Sequence, residues 1–212
     1  MIEILYADEQ IVACIKPAGV LSQSDGEEGM EALLRQQLGG EIYPVHRLDQ
    51  PVSGVMVYAR TRDAAAQLSR QMQEGSFHKQ YFCLAEGHME SSGEMTDYLY
   101  KDMRTGKTYP VKSMRRGVRE AKLLYEVLRE NDGVSLCRVT LLTGRSHQIR
   151  VQFAARKHPL LGDGRYGSKR SCPLALFSQS VSFTHPTTGE RLSFEARPEG
   201  KPWKMFLKDS AK

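Results

Sequence analysis

Long apolar runs are missing from this 212-residue chain, and no segment approaches the roughly 20 consecutive apolar residues that a membrane-spanning helix requires. No secretory leader is expected either: Met1 to Gln10 carry Glu3, Asp8 and Glu9, with no basic stretch ahead of an apolar run. Cysteine is sparse. Cys14, Cys83, Cys137 and Cys172 form no C-x-x-C pair, which excludes a thiolate zinc site and leaves no disulfide framework to read. The expectation is a soluble, cytoplasmic protein whose cysteines are ordinary small buried residues. Low complexity, internal repeats and linker-like stretches are also lacking, so the chain is expected to form a single domain over residues 1–212. Its 40% hydrophobic content is enough to bury a core.

What the chain has is positive charge in two places. Residues 101 to 122 hold eight basic residues (Lys101, Arg104, Lys107, Lys112, Arg115, Arg116, Arg119 and Lys122) against Asp102 and Glu120, a net of +6. Residues 138 to 170 hold eight more, Arg145 and Arg150 among them, against Asp163 alone, a net of +7. The whole chain carries only +5, so the remainder is acidic at −8. That asymmetry fits a polyanionic partner such as nucleic acid.

Hydrophobic periodicity gives a mixed order of elements. Residues 2–6 and 11–16 read as a hairpin ending at Lys16-Pro17-Ala18-Gly19, and 29–38 as a helix closed by Gly39-Gly40. A strand over 52–60 precedes a helix capped by Thr61, with Ala64, Leu68 and Met72 at helical spacing. Further strands are expected over 77–85, 94–100, 121–129 and 134–142, the last two joined by a turn at Glu130-Asn131-Asp132-Gly133. Ser146 is the expected N-cap of a helix running to Lys157, entered by a sharp turn at Gly144. Strands over 174–184 and 191–197 follow, then a short helix within 199–207. The basic segment 101–118 reads as a loop or arm. The class is α+β with a mixed, mainly antiparallel sheet and flanking helices.

Three clusters can carry chemistry. His46-Arg47-Leu48-Asp49, followed by Gln50 to Gly54, suits a carboxylate held on a loop at the mouth of a sheet, or a structural ion pair. Thr143 to Val151 joins Gly144, Arg145, Ser146, His147, Gln148 and Arg150, an anion site at a helix start or a capped surface helix. Lys79-Gln80-Tyr81 lies on a strand, where Tyr81 is either a core aromatic or a stacking platform.

Taken together these residues resemble the RluA-type RNA pseudouridine synthases. His46 to Gly54 matches that family's H-R-L-D-x-x-T-S-G motif except that Val52 stands where the family has Thr. Gly144 to Val151 and His158 to Gly167 match its G-R-T/S-H-Q-I/L-R-V and H-P-x-x-G-D-x-x-Y-G motifs. Lys16 to Gly19, Lys79 to Tyr81 and Phe183 to Pro186 are similar to its first, tyrosine and closing motifs.

The resemblance implies an isomerase that needs neither metal nor cofactor, with a central RNA-binding cleft in its sheet. Asp49 would be the catalytic carboxylate, Tyr81 a stacking partner for the target base, and Arg150 a partner of Asp49. Arg47 would fill the space that a flipped nucleotide leaves, and Arg145, His147 and Gln148 would contact the RNA. The partner is expected to be ribosomal or transfer RNA and the enzyme a monomer. Because the motifs start at Lys16, the N-terminal S4 domain of many relatives is not expected. The competing readings are a metal-dependent nuclease using Asp49, His46 and His147, and an RNA-binding protein without catalytic function.

Overall fold

The computed structural model describes residues 1–23 and 29–207. In chain order the elements are β1 (Glu3–Ala7), β2 (Ile11–Lys16), α1 (Met30–Leu38), β3 (Tyr43–Pro44), β4 (Ser53–Ala59), α2 (Arg62–Glu74) and β5 (His78–Glu86). They continue with β6 (Ser92–Lys101), β7 (Thr108–Val111), β8 (Val118–Asn131), β9 (Val134–Leu141), α3 (Gln148–Ala155), β10 (Leu176–Thr184) and β11 (Arg191–Glu195). Short 3-10 turns occupy Gly164–Tyr166 and Trp203–Met205. The α+β class with a mixed, mainly antiparallel sheet is what the sequence indicated: β4 pairs with β10 in parallel, whereas β1–β2, β2–β4, β3–β4, β10–β11, β6–β7, β6–β8 and β8–β9 are antiparallel. No helix among the described residues is long and apolar enough to cross a membrane.

The chain forms two compact units, and neither is a continuous stretch of sequence. The first comprises Met1–Gln80 and Phe177–Pro198, and the second Tyr81–Leu176 with the segment that starts at Glu199. In the first, the strand order is β1-β2-β4-β10, with β3 beside β4 and β11 beside β10. Ile11, Ala13, Val55, Val57 and Ala59 share one core with Ala64 and Leu68 of α2, Phe77, Val181 and Phe183. Alternation along β2 and β4 sends Val12, Cys14, Met56 and Tyr58 the other way, and these are fully buried as well. A strand buried on both faces reads as a nearly unbroken apolar run, as β4 does. Thr61 caps α2 by accepting the Ala64 N–H at 3.2 Å, as its position before the helical pattern indicated.

The second unit has the order β5-β9-β8-β6-β7. Its long β8–β9 hairpin closes through Asp132 and Gly133, both left-handed at φ 48° and 66°, which is the two-residue turn that suits strand twist. Val151 of α3 packs with Leu99 and Ala121, and Tyr166 lies against that cluster.

Three local expectations are corrected. The segment 101–118 contains β7, a four-residue edge strand whose short pattern is masked by the surrounding basic residues; Pro110 is tolerated there because an edge strand has a side with no ladder to lose. The α3 helix starts at Gln148, not after a Ser146 cap, and the residue that turns the chain into it is His147, at φ 54°, rather than Gly144. Where a short helix was expected within 199–207, the described residues form a 3-10 turn at Trp203–Met205.

Candidate active site

Asp49 sits half-buried on the loop between β3 and β4, and both of its neighbours are held through their backbones. On one side, the Ser22 hydroxyl donates to the Leu48 carbonyl at 2.8 Å and accepts the Leu48 N–H at 3.3 Å. Tyr58 supports that serine, its hydroxyl donating to the Ser22 carbonyl at 2.8 Å. On the other side, the fully buried Lys16 ammonium donates to the carbonyls of Pro17 (2.8 Å), Val20 (2.7 Å) and Gln50 (3.1 Å). Those three bonds use all the donors an ammonium has. Burial pulls the Lys16 ammonium down to about 8, and the Asp49 carboxylate works in the opposite direction. The Gly19 N–H adds a bond to the Gln50 carbonyl at 2.8 Å.

The loop then closes on itself, with the Val52 N–H donating to the Asp49 carbonyl at 2.9 Å. Val52 is 2% exposed, so the residue that departs from the motif keeps the turn through its backbone and fills an apolar position with its side chain. Gly54 follows at φ 123°, where an added Cβ would lie 2.3 Å from the Ser178 carbonyl oxygen of β10. Glycine is thus required for β4 to meet β10. His46 is buried beneath the loop: its Nε2 accepts the Val57 N–H at 3.1 Å and its ring tilts against Phe77 at 5.5 Å. Burial, with Lys79 adding to it, pushes the imidazole down to about 3. A metal site built on Asp49, His46 and His147 would therefore need a His46 lone pair already given to the backbone. Among the described residues no three His, Cys, Asp or Glu side chains converge in a metal-binding group. Arg47 is exposed.

In the second unit, Tyr81 begins the unit's part of β5 and is 5% exposed. Arg150, one turn into α3, makes a two-pronged pair with Asp163, Nε to Oδ2 at 2.7 Å and Nη2 to Oδ1 at 2.8 Å. The segment between Leu142 and α3 is tied down by Gln148, whose amide oxygen accepts from the Thr143 hydroxyl (2.8 Å) and the Arg145 N–H (3.0 Å) while its nitrogen donates to the Lys122 carbonyl (3.0 Å). Gln148 is 3% exposed and braces this segment from within. Arg145 is exposed, and its Nε donates to the Glu120 carbonyl at 2.8 Å. The His147 Nδ1 and the Tyr166 hydroxyl are 2.7 Å apart. The eight basic residues of 101–122 are all at least partly exposed.

Residues 10–155 match the RNA pseudouridylate synthase family. This chain belongs to that family. It is of the RluA type, a group of isomerases acting on RNA. It is 35% identical over 206 residues to the dual-specificity RNA pseudouridine synthase RluA of Pasteurella multocida, covering 93% of each chain. It is 33% identical over 232 residues to the tRNA pseudouridine synthase C of Yersinia pestis, covering 98% of this chain and 90% of that one. An uncharacterized RNA pseudouridine synthase of Mycoplasma pneumoniae is 32% identical, and there this chain spans 66% of the relative's length. The structure of human RNA pseudouridylate synthase domain containing 1 shares the fold, with a TM-score of 0.80 at 24% identity, covering 93% of this chain and 84% of that one.

Within this synthase the motif residues fall into two groups. Arg47 and Asp49 share the loop that Lys16 and Ser22 clamp, whereas Arg145, His147, Gln148 and Arg150 share the entry and first turn of α3. Sequence reasoning gave no role to Asp163, Tyr166 or Ser22. A signal existed for Asp163 and Tyr166, which are the Asp and Tyr of the motif matched by His158 to Gly167. None existed for Ser22, which reaches Leu48 across 26 positions.

Proposed function

We propose that this synthase converts uridine to pseudouridine in structured transfer or ribosomal RNA, with Asp49 as the catalytic carboxylate. The relatives named for transfer RNA and for dual RNA specificity support that substrate class. The reaction breaks the bond from N1 to C1′, turns the base and forms a bond from C5 to C1′; the C5 proton is lost and N1 gains one. Atoms and electrons balance, so the isomerisation consumes no co-reactant. Asp49 assists the glycosidic cleavage, as a nucleophile or as a base at the sugar.

The observation that carries this reading is the two-sided backbone clamp on Leu48 and Gln50, which fixes the position of a half-buried carboxylate through the chain on either side of it. Such support keeps a reacting group in place. The target base must leave the RNA stack to be reached, and in this reading Tyr81 stacks on it and Arg47 fills the vacated space. Arg150 acts as the cation beside the reacting carboxylate. Arg145 and the exposed basic residues of 101–122 meet phosphates. The whole chain works as one catalytic domain and as a monomer in the cytoplasm.

The test uses RNA from cells lacking the gene. Wild type should form pseudouridine in the presence of chelator, and Asp49→Asn should form none while binding RNA within about tenfold of wild type. Appreciable turnover by Asp49→Asn sinks the assignment. A wild type that binds RNA without turnover would instead favour a binding protein.

A further inference from the structure

The turn between β6 and β7 is a built object. Asp102 organises it: its Oδ1 accepts the Arg104 N–H at 2.8 Å and its Oδ2 accepts the Thr105 hydroxyl at 2.9 Å. The Asp102 N–H donates to the Lys107 carbonyl at 2.9 Å, and Gly106, at φ 63°, donates its N–H to the Asp102 carbonyl at 2.8 Å. These bonds present Met103, 81% exposed, and Arg104 at the tip. From outside the hairpin, the Arg165 Nη2 donates to the Thr105 carbonyl at 2.6 Å.

Tyr166 is where this hairpin meets α3. Its hydroxyl accepts the Thr108 N–H, the first of β7, at 2.9 Å and also bonds the His147 Nδ1 at the entry to α3. Two cations approach its ring: the Lys107 Nζ from the hairpin, 5.3 Å from the centroid, and the Arg150 Cζ from α3, 5.1 Å away. The His147 ring meets it edge-on at 5.7 Å and 81°. A tyrosine ring attracts a guanidinium or an ammonium through its quadrupole, most strongly where water is thin. One side chain therefore fixes the docking of a basic hairpin and the setting of Arg150.

We propose that the β6–β7 hairpin is a preformed RNA-gripping finger and that Tyr166 is the positioning residue that couples it to α3. The hydroxyl sets the finger, so it acts on RNA affinity. The ring steadies Arg150, so it acts on the rate. The second half of this inference rests on the role given to Arg150 above; the first half does not.

The test is a double-mutant cycle in RNA affinity, with an unmodified transfer RNA transcript as the probe. Tyr166→Phe removes the hydroxyl and keeps the ring, and should weaken binding about five- to tenfold. Arg104→Met should weaken binding about fivefold in wild type and less than twofold in Tyr166→Phe, because a poorly docked finger has little grip left to lose. Equal losses in the two backgrounds would overturn the proposal, as would wild-type affinity in Tyr166→Phe. Single-turnover rates at saturating enzyme, on RNA from cells lacking the gene, test the ring: Tyr166→Leu should be at least tenfold slower than Tyr166→Phe, and equal rates would refute that part. Turnover retained by Asp49→Asn in the same assay would count against the proposed chemistry, while the affinity cycle would still decide the finger.

Discussion

Arg150 and Asp163 form an ion pair sealed from water, with side chains 6% and 1% exposed and two near-parallel contacts of 2.7 and 2.8 Å. A buried pair of this kind is costly to break from either side, about 3–5 kcal/mol, because the survivor is left charged and dry. Arg150→Met should therefore lose stability as well as turnover. Combining it with Asp163→Leu removes both charges and should recover most of the melting temperature, since well-packed apolar replacements of buried pairs are near neutral. Turnover should stay lost in the double variant. If activity returned with stability, Arg150 would be a scaffold residue and its catalytic assignment would fail. Arg145, whose exposed side chain donates from Nε to the Glu120 carbonyl, should instead lose RNA affinity as Arg145→Met while folding normally.

The Lys16–Ser22 clamp makes a graded prediction. Ser22→Ala removes two hydrogen bonds to Leu48 and should cost about 1–2 kcal/mol, whereas Lys16→Met takes the lysine donor from the Pro17 and Val20 carbonyls and leaves the Gln50 carbonyl with the Gly19 N–H alone, and should cost more, on the order of 3 kcal/mol. Both should slow single turnover beyond what the stability loss explains, because each loosens a neighbour of Asp49. Denaturation midpoints and single-turnover rates measured together check this; wild-type rates in a destabilised Ser22→Ala would show that the clamp supports folding alone.

His46 gives a pH signature. In the folded chain its imidazole stays neutral down to about 3, chiefly through burial, whereas in the unfolded chain it takes up a proton near its ordinary value of 6.5. Between those values the unfolded state binds the extra proton, so stability falls as pH drops through 6.5 and the loss levels off near 3. The slope from this one group is at most about 1.4 kcal/mol per pH unit. His46→Gln keeps an acceptor for the Val57 N–H and abolishes the titration, so urea midpoints between pH 4.5 and 6.5 should fall less steeply than in wild type. Identical slopes would contradict the buried neutral histidine.

Much of the fold was legible because its signals are local. Alternation along β2 and β4, the Thr61 cap, and Asp132-Gly133 between two strands each depend on neighbours a few positions away, and each appears where the pattern put it. What escaped depends on distance. β3 is two residues long, β7 is a strand only because β6 pairs with it, and α3 begins late because the Gln148 amide reaches back to Thr143 and across to Lys122. The site divides the same way. Asp49 and its motif stood out in the sequence, whereas Lys16 stood there only as the first residue of a turn motif, because the Gln50 carbonyl that its ammonium meets lies 34 positions away.

Gly54 offers a test of the fold itself. Its positive φ and the 2.3 Å approach that a Cβ would make to the Ser178 carbonyl mean that Gly54→Ala must push β4 away from β10 or strain the backbone. Backbone neighbours cannot step aside as a side chain could, so a loss of about 2–4 kcal/mol is expected, with turnover falling because the Asp49 loop ends at this strand. Ser53→Ala, at the preceding position of the same strand, should be mild. Comparable melting temperatures for the two variants would show that the close β4–β10 contact is not needed.

The last prediction concerns salt. The exposed basic residues of 101–122 are spread along the edge and turns of β6, β7 and β8, so each that meets a phosphate releases a condensed counterion on binding. Single-stranded RNA contributes about 0.7 to the slope of log affinity against log salt for each phosphate neutralised. Four to six such contacts would give a slope of about −3 to −4. Removing Arg115 and Arg116 together should make that slope shallower by about 1.4 if both meet phosphate. The variant folds as wild type in this expectation, because both side chains are exposed, that of Arg115 lying 5.7 Å from the centroid of the Tyr100 ring. An unchanged slope would show that these charges are surface solvation and that the RNA lies elsewhere.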